Sequence, residues 1–135
     1  VSGASFRGGV TATGGTSFGN RFRPDQSLDV VAEIQIDPIH RGQAGFLVVA
    51  ALLGDQLLLQ DASGNFTPWD PSQPITRLQS KTLGTVESIQ IFDDLVPAEV
   101  GIDSVAVDFV VGYGLDSNPG EIYYHQRPIN LTVTP

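Results

Sequence analysis

Apolar and polar residues alternate with a period of two along several stretches of this chain, the pattern that sends successive side chains to opposite faces of a sheet. It is cleanest from Leu28 to Asp37. There Leu28, Val30, Ala32, Ile34 and Ile36 face one way, and Asp29, Glu33, Gln35 and Asp37 the other. From Val105 to Tyr113, the side chains of Val105, Val107, Phe109, Val111 and Tyr113 share a face predicted to pack inward, while Asp108 looks to solvent. Pro128 opens a closing strand on which Ile129, Leu131 and Val133 share a face. Ala44 to Leu53 does not alternate. Its unbroken apolar run from Phe46 predicts a strand covered on both faces, and the β-branched pair Val48-Val49 between Gly42 and Gly54 favours strand over helix.

Weaker signals fill in the rest. Ala4 to Thr11 reads as an edge strand with a bulge at Gly8-Gly9. Gln56 to Gln60 is a short strand, and Asp61-Ala62-Ser63-Gly64-Asn65 a hairpin turn. Phe66 to Asp70 follows, and Pro71 and Pro74 keep the next connection irregular. Thr85 to Phe92 is extended, with Ile89 and Ile91 on one face and Phe92 on the other, and Asp93 to Asp103 is a loop. Leu115 to Gly120 is a turn, after which Glu121 to His125 resumes the extended pattern. About seven to nine short strands without an amphipathic helix predict an all-β chain, an antiparallel sandwich forming one domain over residues 1–135.

Composition narrows the function. At 135 residues the chain can bury a core without cross-links, and 15 glycines and 9 prolines are more than a helical bundle tolerates. The absence of cysteine removes disulfides, thiolate nucleophiles and Cys-based zinc sites, and leaves the redox compartment open. A net charge of −8 repels nucleic acid on average. No apolar run is long enough to cross a bilayer. A first residue that is Val rather than Met suggests a piece of something longer. The charge is unevenly placed: eight acids and no base lie between Glu87 and Glu121. This reads as a solvated acidic face or, more sharply, as a divalent-cation site.

Five motifs together resemble immunoglobulin-like β-sandwich modules of large exported bacterial proteins. They are Phe6-Arg7-Gly8-Gly9, His40-Arg41-Gly42-Gln43, Gly64-Asn65-Phe66-Thr67-Pro68-Trp69-Asp70, Val111-Gly112-Tyr113, and Ile122-Tyr123-Tyr124 leading to Pro128-Ile129. The likeness spans most of the chain. It implies an immunoglobulin-like fold, an extracellular or cell-surface location, and a non-catalytic structural or adhesion module. Its partners would be neighbouring domains of a longer chain, and glycan or protein at the cell surface. It carries no catalytic residues over.

The candidate chemistry agrees with that reading. His40 and His125 are too few for most metal centres without carboxylates, and no Gly-x-Ser-x-Gly elbow marks a nucleophile, so no catalytic residue is assigned. No cofactor is expected beyond calcium, whose candidate ligands are Asp93 and Asp94 in the acidic loop and Asp116 and Asn118 in the late turn. Both segments are more simply turns, since Asp and Asn side chains satisfy backbone donors there. Trp69, Tyr113, Tyr123 and Tyr124 define the alternative function, a carbohydrate-binding module that stacks sugars on exposed rings. The competing reading is that these aromatics fill the core, and Tyr123 and Tyr124 must then point to opposite faces of their strand.

Overall fold

A computed structural model describes residues 3–13, 18–70, 72–73, 75–124 and 128–135. Among them the chain is all-β, with eleven strands in two sheets. The strands are β1 (Ser5–Thr11), β2 (Arg21–Phe22), β3 (Leu28–Gln35), β4 (Ala44–Leu53), β5 (Gln56–Gln60), β6 (Phe66–Pro68), β7 (Gln79–Thr82), β8 (Val86–Leu95), β9 (Val105–Leu115), β10 (Asn118–Tyr124) and β11 (Ile129–Val133). The smaller sheet has the order β1-β3-β8. The larger has the order β2-β11-β9-β4-β5-β6, with β10 also on β9 and β7 also on β4.

Two long strands explain that layout. β9 gives one edge to β4 and shares the other between β11, at Val105 to Phe109, and β10, from Gly112 onward. β4 likewise gives its second edge to β7 over Ala44 to Leu47 and to β5 over Ala50 to Leu53. Pairings are antiparallel apart from β2 on β11, which is parallel, so the purely antiparallel expectation is corrected. The count also exceeds seven to nine, because β2, β6 and β7 are short or polar pieces recruited by longer neighbours.

The two sheets meet across one apolar core. Leu28, Val30, Ala32, Ile34, Ile89 and Ile91 enter it from the smaller sheet, and Leu47, Val49, Phe109, Val111, Leu131 and Val133 from the larger. The alternating faces of β3 and β11 are buried as their patterns predict. Three local expectations change. β1 pairs with β3 without a register shift, so Gly8-Gly9 is not a bulge; a Cβ on Gly8 would lie 2.7 Å from the Val31 carbonyl oxygen and 2.6 Å from Ile129 Cδ1, and glycine is there for close approach. Two irregularities lie instead in β8: Val30 pairs with Phe92 but Val31 with Gln90, leaving Ile91 as an extra residue, and Leu28 pairs with Leu95, so that Asp93 and Asp94 stand opposite Asp29 alone. The kink at Ile91 turns Phe92 back to the core, against Phe66 and Phe109, instead of onto the opposite face. Strand β8 also continues through Asp93 and Asp94, residues expected in a loop.

Candidate functional site

The larger sheet is apolar on both sides, and its outer side carries the most distinctive surface. Phe46, Val48 and Ala50 alternate outward along β4, and the first two face Gly114 and Gly112 of β9 across the strand pair. The missing side chains at these glycines make a trough. A Cβ on Gly114 would collide with the Phe46 ring, and one on Gly112 would sit 3.1 Å from Tyr124 Cβ and 2.6 Å from the Tyr123 carbonyl oxygen. Leu59, Trp69, Ile75 and Ile122 close over the trough as a second apolar cluster, separate from the core between the sheets. Arg77 covers one end, its guanidinium 4.0 Å from the Phe46 ring centroid.

Trp69 is set in place by its backbone amide, which donates to the Leu57 carbonyl at 3.0 Å and extends the β5–β6 pairing by one residue. Asp70 then turns the chain. Its Oδ1 accepts from the Ser72 amide at 2.9 Å and the Ser72 hydroxyl at 2.7 Å, and these bonds hold its carboxyl below the ordinary range. The indole is half-buried, and its Nε1 has no hydrogen-bond partner among the described residues. With Tyr124, whose side is open to solvent (58% exposed), it lines an open groove of about 190 Å³ that also touches Val48, Ala50, Leu57 and Ile75. No polar atom contributes to the groove's walls.

The other two tyrosines lie elsewhere. Tyr113 is fully buried, which removes it from any surface site, and Tyr123 stacks on it with ring centroids 5.2 Å apart. His40 packs against both rings and shares a 2.7 Å hydrogen bond between its Nδ1 and the Tyr113 hydroxyl. The Asp37 amide donates to the same hydroxyl at 3.3 Å. The Asp37 carboxylate accepts from the Gly3 amide at 2.7 Å and the Ile39 amide at 3.1 Å, and the Gly3 bond above all lowers its pKa. His40 is thus a fold residue holding the turn after β3. His125 lies outside the described residues. Tyr123 and Tyr124 point to opposite faces of β10, as their adjacency requires.

The four acidic-site residues divide between two places. Asp93 and Asp94 join Asp29 of β3, with one oxygen from each carboxylate within 4.8 Å of the others. Asp94 repels Asp93 and raises its pKa, and Asp94 itself adopts a left-handed backbone with φ 53°. Two oxygens are already engaged: Asp29 Oδ1 accepts from the Asp94 amide, and Asp94 Oδ1 from the Ser27 hydroxyl. The three carboxylates carry six oxygens, and with two engaged the four left fall short of the six to eight that calcium takes without backbone carbonyls or water. Asp116 is held instead by Arg77 at 2.8 Å, and Asn118 donates to Glu121 at 2.9 Å. Neither belongs to the trio.

Comparison with family models, with curated proteins and with solved structures finds no match.

Function therefore has to be read from the arrangement itself. The outer groove can exclude water from an apolar surface laid on Trp69 and Tyr124, and little else. Sequence reasoning singled out both aromatics but not their adjacency, which depends on β10 and β6 converging over β4. It missed Ile75, Ile122 and the glycine trough, whose one signal is Gly112 and Gly114 alternating within an otherwise bulky strand. It also missed Asp29, which is distant in sequence and read there simply as the polar face of β3.

Proposed function

We propose that this chain is a non-catalytic accessory module, an immunoglobulin-like β-sandwich of an extracellular or cell-surface bacterial protein, and that it adheres through the outer face of its larger sheet. The observation that carries this reading is the second apolar cluster on that face. A two-layer fold needs one buried side per sheet, yet here the far side of β4 also holds Phe46, Val48, Trp69 and Ile122, with Tyr124 left exposed at its margin. Phe46 and Val48 are themselves buried beneath this cover, so the apolar surface left open is the groove lined by Trp69 and Tyr124, and apolar surface exposed at one place marks an interaction site. The recurrent motifs fit the same reading, because their residues are accounted for by packing: Gly8 by close approach to β3, His40 by Tyr113, and Gly112 by the trough. The partners would be a neighbouring domain or a protein surface.

A carbohydrate-binding module is the second reading, favoured by Trp69 and Tyr124 sharing one groove. Against it stands the groove's apolar lining, which offers sugar hydroxyls no hydrogen-bond partner. A glycan array separates the two. The adhesion reading expects no specific sugar, and expects beads bearing the chain to bind protein-coated surfaces and to lose that binding on Trp69→Ala. Sugar binding abolished by Trp69→Ala, with an unchanged melt, would put the carbohydrate reading in its place. Turnover of ester, peptide or glycoside substrates by the purified chain would overturn both.

A further inference from the structure

A different feature lies between the two sheets, at the end where β8 leaves its bulge. There a pocket of about 200 Å³, open to solvent on one side, is lined by carbon alone, with no polar atom contributing to its surface. Its floor is a cluster of three aromatic rings, Phe66, Phe92 and Phe109, with centroids 5.6 to 6.0 Å apart. Leu53, Leu95 and Ile102 at its rim are partly exposed to solvent, and of the three rings only Phe109 is buried. An apolar space of this size holds water poorly, because a water there finds none of the two to four polar partners it needs.

We propose that this pocket is a binding site for a small uncharged apolar molecule or the tip of an alkyl chain. Three observations select that class. The walls offer no donor or acceptor, so a sugar or peptide entering would leave its polar groups unpaired. The volume suits about eight non-hydrogen atoms, judged against the roughly 150 Å³ apolar cavity that takes up benzene. The partly exposed rim lets such a molecule enter without unfolding. Charge refines the choice. Asp93, Asp94, Glu99 and Asp103 are exposed and lie within two residues of the rim or of Pro97 in the wall. Arg23, brought near by the bond from the Ala98 amide to the Pro24 carbonyl, is paired with Asp25. A carboxylate head group would therefore be repelled at the mouth. The site is independent of the Trp69 face, which lies on the other side of the larger sheet.

The test is a methyl-resolved NMR titration of the full chain with toluene, 1-octanol and octanoate. Toluene and 1-octanol are expected to shift the methyl signals of Leu53, Val107 and Leu131 and to raise the melting midpoint. Octanoate is expected to bind at least tenfold more weakly than 1-octanol at low salt. Ala51→Leu and Val107→Phe each fill the space and should weaken toluene binding at least tenfold; if either fails to fold, the wild-type shift map still decides. Shifts confined to residues around Trp69 would overturn the proposal, as would no saturable binding of any probe. Octanoate binding as tightly as 1-octanol would overturn the stated ligand class.

Discussion

A single phenol oxygen, that of Tyr113, holds together the turn after β3 and the strand that crosses beneath it. It accepts from the Asp37 amide and shares a hydrogen bond with His40, in a place where its own ring is fully buried. Tyr113→Phe keeps the shape but leaves both partners unpaired, which costs about 1–3 kcal/mol and should appear as a lowered denaturation midpoint. Gly114→Ala tests the opposite fault. Its added methyl meets the Phe46 ring, and overpacking of this kind costs about 1–3 kcal/mol, so the variant should be less stable although alanine suits a strand no worse than glycine. Asp37 adds a dependence on pH. The Gly3 and Ile39 amides lower its folded pKa below the ordinary 3.8, so the stability it contributes is present above that value and lost as pH falls through the folded one. Asp37→Asn should therefore lower the melting temperature at neutral pH and flatten its decline below about pH 4.

Strands β7 and β8 are the open edges of the two layers on one side of the molecule, and two contacts with the opposite sheet secure β8 there. Lys81 of β7 reaches Glu87 of β8 at 2.5 Å, and Gln60 of β5 donates to the Ile91 carbonyl at 3.2 Å. Glu87 is buried and Lys81 about one-third exposed, a setting between a surface pair worth about 0–1 kcal/mol and a fully buried one whose breakage costs about 3–5 kcal/mol. Lys81→Ala strands the Glu87 carboxylate, though its bond from the Gly84 amide at 2.7 Å persists. A loss of about 1–2 kcal/mol is expected in chemical denaturation, and Glu87→Gln combined with Lys81→Ala should recover part of it. Legibility in the sequence follows from what makes each element a strand. β3 and β11 bury one face, and β4 is covered on two, so pattern alone reveals them. β7 is Gln79-Ser80-Lys81-Thr82, with no periodic signal, and is a strand because β4 offers it an unpaired edge. The Ile91 bulge is equally silent, since both Phe92 faces look acceptable until β6 brings Phe66 beside it.

At the scale of the whole molecule, self-repulsion is the term most open to measurement. The chain carries a net charge of −8, and its acids concentrate between Glu87 and Glu121. The sharpest local instance is Asp93, whose carboxyl is raised first by Asp94 and further by burial and Asp29. A raised carboxyl has the opposite sign to Asp37: it opposes folding at neutral pH, and the penalty is relieved as pH falls into the carboxylate range. Screening offers a second relief. Raising salt from ~0.01 M to ~0.15 M shortens the Debye length from ~30 Å to ~8 Å, so the melting midpoint should rise. Asp93→Asn should melt higher than the parent at low salt, and its advantage should narrow as salt increases. Calcium discriminates between repulsion and ligation at the same three carboxylates. If they merely repel, calcium chloride and sodium chloride at equal ionic strength raise the midpoint alike. If they ligate, calcium gives the larger rise, because an ion held by the folded state stabilises it in proportion to the logarithm of its concentration, and Asp93→Asn removes the excess. With two of their six oxygens already bonded, the three carboxylates leave four for an ion that takes six to eight, which places the expectation with equal shifts.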